Sequence, residues 1–166
     1  MYTGELVRLR AYKEEDLILA QQYINNPEIK QYLETGVPFL YTQHNEKEWY
    51  EKQSPFADEY GFAIETLEDN RYIGGCGVHK VDYKNRKTNI GIFIGDEEYL
   101  GKGYGTDALK VLVKFIFEEM NMNKVRLEVY DFNLRAQKCY EKVGFNKEAI
   151  LKKNYLGMEN IGILSL

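Results

Sequence analysis

At residues 101–105 the chain reads Gly-Lys-Gly-Tyr-Gly and then runs directly into a helical repeat. Leu109, Leu112, Val113, Ile116 and Met120 recur at i, i+3, i+4, i+7 and i+11, which is one face of a helix. Glycine accepts positive φ and lets a second molecule approach the backbone. The free N–H groups and the dipole at a helix start favour negative charge, and Lys102 adds a cation beside them. Whatever the fold, it must present a glycine loop at the mouth of a helix. A pyrophosphate suits that geometry; a flexible turn with nothing bound is the competing reading.

The flanks of the loop narrow the architecture. Three strand signals precede it, in "YGFAIETLE", "RYIGGCGVHKV" and "KTNIGIFIG", separated by short polar turns. That pattern predicts an antiparallel meander. After the helix, expected from about Gly105 to Met120, "KVRLEVYD" reads as a strand and "NLRAQKCYEKV" as a helix ended by Gly144. Two further strand signals, "NKEAILKKNYL" and "ENIGILSL", surround a "GM" turn. At the start, "ELVRLRAY" predicts a strand, "KEEDLILAQQYI" a helix with acids in its first turn, and "NNPEIKQYL" a break and a short helix. "TQHNEKEWYEKQ" predicts a helix from a Thr42 cap with Glu46 nearby, although its apolar stripe is weak. The expectation is one α/β (α+β) domain over residues 1–166, with a mixed, mostly antiparallel sheet of about seven strands and helices on both faces.

Charge and composition exclude some functions. With 22 Lys and Arg against 26 Asp and Glu the net charge is -4, whereas phosphate-backbone binding wants a basic surface. No nucleic-acid partner is expected. Cys76 and Cys139 lie far apart without metal-like spacing and read as reduced packing residues. The two histidines, His44 and His79, are too few for a histidine metal site. The N-terminus has no signal-like apolar core, and "VLVKFIF" is too short to span a bilayer. A cytoplasmic protein without metal or membrane partner is the expectation.

Three phosphate loops compete for the glycine stretch. A Walker loop needs G-x-x-x-x-G-K-[ST]; Gly95 stands one residue too far from Gly101, and Gly103 occupies the Ser/Thr position. A dinucleotide fingerprint needs G-x-G-x-x-G within a parallel sheet. Glu128 or Asp131 could imitate its acid, but an antiparallel meander precedes the loop. The third pattern, [RQ]-x-x-G-x-[GA] between a strand and a helix, resembles the acetyl-coenzyme-A (acetyl-CoA) loop of the GNAT superfamily of N-acetyltransferases. Gly103 and Gly105 match its glycines, while Leu100 stands where Arg or Gln is usual. The family also places an Asn after the next strand, a Tyr seven residues later and then "GF"; here these are Asn133, Tyr140 and "YEKVGF". Leu9-Arg10, Asp16 and Asn26-Pro27 resemble the opening of the branch holding ribosomal-protein N-terminal and spermidine acetyltransferases.

The resemblance implies an enzyme moving acetyl from acetyl-CoA, as co-substrate, to an amine through a tetrahedral intermediate. It implies that residues 101–106, namely Gly101, Lys102, Gly103, Tyr104, Gly105 and Thr106, hold the pyrophosphate behind Leu100. The backbone of Ile92, Phe93 and Ile94 would pair with the pantetheine arm, with an N–H near Ile92 or Phe93 as oxyanion donor; such a donor is worth roughly 3 kcal/mol. Asn133 and Ala136 would meet the cofactor, and Tyr140 would protonate the leaving thiolate. A phenol of pKa near 10 is protonated at neutral pH and can serve. A core tyrosine and a plain helix N-cap are the structural readings of Tyr140 and Asn133.

The acceptor must lose a proton, at a cost of roughly 4.6 kcal/mol at pH 7 for an alkyl ammonium and about 1 for an α-amine. Candidate bases are Glu65, His79 and Glu34, and the resemblance to spermidine acetyltransferases implies that Glu34 would hold a polyamine; ordered water is an alternative route. A protein N-terminus and a small cationic amine both fit as acceptor. Many members of the branch dimerise, so a homodimer is compatible with the resemblance. A catalytically silent acetyl-CoA sensor on the same fold is the alternative function.

Overall fold

The computed structural model describes residues 2–33, 37–151 and 160–166. Its elements follow the chain as β1 (Tyr2–Thr3), β2 (Val7–Arg10), α1 (Leu17–Asn25), α2 (Pro27–Lys30), α3 (Gln43–Glu51), β3 (Tyr60–Thr66), β4 (Tyr72–Asp82) and β5 (Lys87–Ile94). Then come α4 (Tyr104–Glu118), β6 (Lys124–Tyr130), α5 (Leu134–Val143), β7 (Asn146–Leu151) and β8 (Ile161–Ser165). They form one eight-stranded sheet in the order β1-β2-β3-β4-β5-β6-β8-β7. All neighbours are antiparallel except β5 and β6, which the α4 crossover joins in parallel. The strand beyond the expected seven is β1, whose two residues are too few to show an alternation. The expected "GM" turn between β7 and β8 lies outside the described residues.

The two faces bury different side chains, as a period of two requires. Phe62, Ile64, Cys76, Val78 and Ile90 point to the face covered by α4, where Leu109, Leu112 and Ile116 are fully buried. Ala63 and Tyr72 point to the opposite face, against Ala20 of α1 and the rings of Tyr12 and Tyr23. The α3 segment is tied in more firmly than its weak stripe suggests. Thr42 caps it by accepting the Asn45 N–H, so Asn45 rather than Glu46 completes the cap. Glu46 instead turns inward, and the Trp49 ring meets Tyr12 edge-on at 4.8 Å.

Candidate active site

The sheet is open at its centre. β5 pairs with β6 only at Lys87 with Lys124, Thr88 with Val125, and Asn89 with Arg126. Beyond that point β5 runs on to Ile94 and β6 to Tyr130 without pairing to each other. A cleft of about 660 Å³ fills the gap, a normal size for a small-ligand site. The unpaired edge of β5 can be assigned residue by residue. Gly95 donates to the Ile73 carbonyl at 2.8 Å. In an antiparallel pair alternate residues turn their N–H and C=O to the partner. Phe93 and Gly91 therefore face β4, and Ile92 and Ile94, beyond the last β5–β6 pair, offer backbone donors and acceptors to the cleft. Of the two expected oxyanion donors, Ile92 has the right direction; the Phe93 N–H is turned to β4, and only its side chain lines the cleft.

One mouth of the cleft is the glycine loop. Gly101 and Gly103 hold φ of +73° and +95°, in the left-handed region where an L side chain is strained. Gly103 is the N-cap of α4 and has no side chain to cap it, so the first amides of α4 lack intrahelical partners. Asp107, the acid in that first turn, is turned away. Its carboxylate accepts the N–H groups of Glu5, Leu6 and Val7 at 3.1, 2.8 and 3.0 Å. The helix start is left electropositive, and the β1–β2 turn is pinned to it. Leu100, Gly101, Gly103, Gly105 and Thr106 line the cleft, whereas Lys102 and Tyr104 do not. The Tyr104 ring packs edge-on against Tyr99 at 5.0 Å.

The opposite wall is α5. Asn133 caps it, accepting the Ala136 N–H at 3.2 Å, while lining the cleft together with Ala136 and Tyr140. Tyr140 is 8% exposed, and its hydroxyl makes no hydrogen bond among the described residues. Burial pushes its phenol above the ordinary tyrosine range, so it is a proton carrier at neutral pH. Cys139, beside it, has its thiol pushed up by burial and lies 3.2 Å from the Thr106 hydroxyl.

The candidate bases separate. Glu65 is not among the cleft residues. Both its oxygens are taken: Arg8 reaches one at 2.7 Å, and Arg10 binds the other while also gripping Asp16. A carboxylate buried between two guanidiniums is a structural anion, and the structure does not place it where a base is needed. Glu34 lies outside the described residues. His79 does line the cleft, on the face of the sheet opposite α4. Burial lowers its pKa below the ordinary 6.5; Glu59 and Glu128 oppose that and Lys80 adds to it, so the imidazole is neutral at pH 7.

Some cleft residues were not assigned from the sequence. Glu128 and Tyr130 alternate with the buried Leu127 and Val129 on β6, which turns them to the face shared with His79. Ile29, Tyr32 and Leu33 close the cleft from the end of α2. The signal for Glu128 was present in its exposed place in an otherwise apolar alternation, but which strand it faces depends on a register that no local pattern fixes.

Among the described residues no group of His, Cys, Asp and Glu could hold a metal ion, and no helix is long and apolar enough to cross a membrane. Residues 7–146 match the family described as the acetyltransferase (GNAT) domain. The chain is 32% identical over 153 residues to the SPbeta prophage-derived uncharacterized N-acetyltransferase YokL of Bacillus subtilis, covering 92% of this chain and 82% of that protein. It is 27% identical over 163 residues to the spermidine N(1)-acetyltransferase of Escherichia coli, covering 93% and 81%. The solved structure of spermidine N-acetyltransferase from Vibrio cholerae with CoA and spermine superposes with a TM-score of 0.86 at 24% identity, over 96% of this chain and 94% of that one.

Proposed function

The chain belongs to the GNAT acetyltransferase family and is an acetyl-CoA-dependent acyltransferase, and from that premise we propose how it acts and on what. It transfers acetyl to a primary amine by direct attack, and the acceptor is a small cationic amine. The opening between β5 and β6 carries this reading. It brings a bare helix start, an unpaired strand edge, a protonated phenol and a neutral imidazole to one cleft.

Each group has a place in the reaction. The amides at the start of α4 hold the pyrophosphate of acetyl-CoA. The free backbone groups of Ile92 and Ile94 pair with the amides of the pantetheine arm, as an added strand does. The Ile92 N–H is turned to the thioester oxygen and stabilises it as negative charge develops. The amine enters from the face that carries His79 and Glu128. As nitrogen bonds to the thioester carbon its proton becomes acidic, and a neutral His79 accepts it. The carbon–sulfur bond breaks, and the Tyr140 hydroxyl gives the sulfur its proton. The acceptor's first proton goes to water before attack, and the second, taken by His79, returns through solvent to the Tyr140 phenolate; the products are the acetylated amine and CoA thiol, with one proton released per turnover. Glu128 and Glu59 favour a cationic acceptor, and the similarity to spermidine N(1)-acetyltransferase supports a polyamine over a protein N-terminus.

The test is thiol release from acetyl-CoA in the presence of spermidine, spermine, short alkylamines and peptides with a free N-terminus, alongside CoA binding by calorimetry. Release with the polyamines is expected. Tight CoA binding without release for any amine would make the chain a silent acetyl-CoA sensor.

A further inference from the structure

Three glycines stand in one row across the middle of the sheet. Gly61 of β3 is in register with Gly77 of β4, and Gly77 with Gly91 of β5. Paired residues share a face, and the alternation places this row opposite α4, on the face of His79. The rows on either side are walled: His79 and Asn89 carry side chains on one, and Ala63 and Phe93 on the other, where the β4 position is Gly75 and the Tyr12 hydroxyl fills the space of its missing side chain. A trough without side chains therefore crosses three strands. At strand spacings of about 4.8 Å it is roughly 10 Å long.

The two ends of the trough differ. At Gly91 it opens into the cleft, and a Cβ built there meets nothing nearer than His79 Cε1 at 3.9 Å. At Gly61 it is stopped by Trp49, whose Cζ2 would lie 3.1 Å from a Cβ. The indole is 38% exposed and is held edge-on to Tyr12. Glu59, one residue before β3, is near enough for its charge to act on His79, as Glu128 does from the far side of the cleft. Lys80, next to His79 in the chain, acts on the imidazole in the opposite sense.

We propose that this trough is the acceptor subsite and that it takes an unbranched polyamine. The reacting nitrogen lies at Gly91 beside His79, the methylene chain lies over Gly77, and a distal ammonium rests against the Trp49 ring and Glu59. Bare backbone gives a methylene chain a floor one side chain deep. A peptide, which carries a side chain and a carbonyl on the carbon next to its amine, has no room to lie in it. An indole face attracts an ammonium, and an acidic neighbour adds to that attraction. This assignment rests on the acetyltransferase reading above and goes further by naming what selects the acceptor.

The experiment compares spermidine, butylamine and a serine-initiated tripeptide as acceptors for wild type, Trp49→Ala, Trp49→Phe, Glu59→Gln and Gly91→Val, with CoA binding measured by calorimetry for each. Butylamine has the reacting arm without the distal charge. We expect Trp49→Ala to cut kcat/KM for spermidine about tenfold and leave butylamine within twofold, with Trp49→Phe recovering most of the loss, and Glu59→Gln, whose charge also acts on His79, to cut spermidine more than butylamine. Gly91→Val should raise KM for both amines and leave CoA affinity unchanged. Equal losses for spermidine and butylamine, or spermidine unaffected by all the variants, would overturn the subsite. So would a wild type that prefers the tripeptide. No acetylation of any amine despite CoA binding would instead sink the reading on which the subsite rests.

Discussion

Replacing Tyr140 by Phe removes one oxygen from the cleft and little else. The ring stays where it is, edge-on to Phe145 at a centroid distance of 6.1 Å. The hydroxyl makes no hydrogen bond among the described residues, so its removal orphans no partner and thermal stability should hold within about 1 kcal/mol. If the phenol protonates the leaving thiolate, the loss is that of general acid catalysis, about 10²–10⁴ in rate, or about 3–5 kcal/mol of barrier. Without the donor the thiolate must leave as an anion or take a proton from water. The assay is turnover by thiol release at saturating spermidine, with CoA affinity by calorimetry on the same preparation. Turnover should fall at least a hundredfold, while CoA affinity stays within threefold. The pH profile should also separate the two proton carriers: the phenol is pushed above the ordinary range, so wild-type activity should show no loss on the alkaline side up to about pH 9. A mutant that turns over within twofold of wild type would refute the argument and return Tyr140 to a packing role.

Three further outcomes follow from charges that the fold fixes. His79 must be neutral to accept a proton, and burial holds its pKa below 6.5; kcat should be flat above about pH 6.5 and fall only under more acid conditions, and His79→Gln should abolish that acid limb, whereas an acid limb kept in the variant would assign it elsewhere. The same depressed pKa makes the folded chain bind fewer protons than the unfolded one, so this contribution to stability is complete above pH 6.5 and is lost as pH falls through the lowered value, which acid titration of wild type against His79→Gln by circular dichroism will read. Arg10→Met leaves Asp16 without its bidentate partner and Glu65 with Arg8 alone; breaking a buried ion pair from one side costs about 3–5 kcal/mol, which predicts a fall in Tm of about 10 °C, and a change of under 2 °C would show the network to be replaceable.

The elements that read well from the sequence are those whose cause is local. The α4 stripe, the Gly144 cap and the Asn133 cap each depend on residues within one or two turns, and each is in place. The glycine loop was legible because positive φ and an uncapped helix start are written in three residues. What did not read was pairing at a distance. Glu65 looks like a free strand acid until β2 is laid beside β3 in register, which brings Arg8 opposite it and Arg10 within reach. His79 looks like a surface histidine until the gap between β5 and β6 gives it a cleft to face. The fold around Trp49 was hidden for the same reason: its partner, Tyr12, is 37 positions away. Leu100, which departs from the usual Arg or Gln, lines the cleft, and nothing in the structure explains the substitution.

The three glycines of the bare row separate a structural requirement from a functional one. Glycine inside a strand costs about 0.5–1 kcal/mol in chain entropy, so each needs a reason. Gly77 has one in the backbone: a Cβ there would stand 2.4 Å from the Tyr60 carbonyl oxygen, and no side chain can be fitted without moving β3. Gly61 has one in the packing of Trp49 against it. Gly91 has neither. Its backbone is not in the left-handed region, and a Cβ would make only an ordinary contact, 3.9 Å from His79 Cε1. A β-branched residue at Gly91 should therefore stabilise the fold, by up to about 1 kcal/mol on strand propensity. Gly91→Val is expected to raise the urea midpoint while it weakens acceptor binding, opposite signs from one substitution. A destabilised Gly91→Val would show that the strand itself requires glycine there. A stabilised one with unchanged KM for spermidine would show that the space is not used by the acceptor.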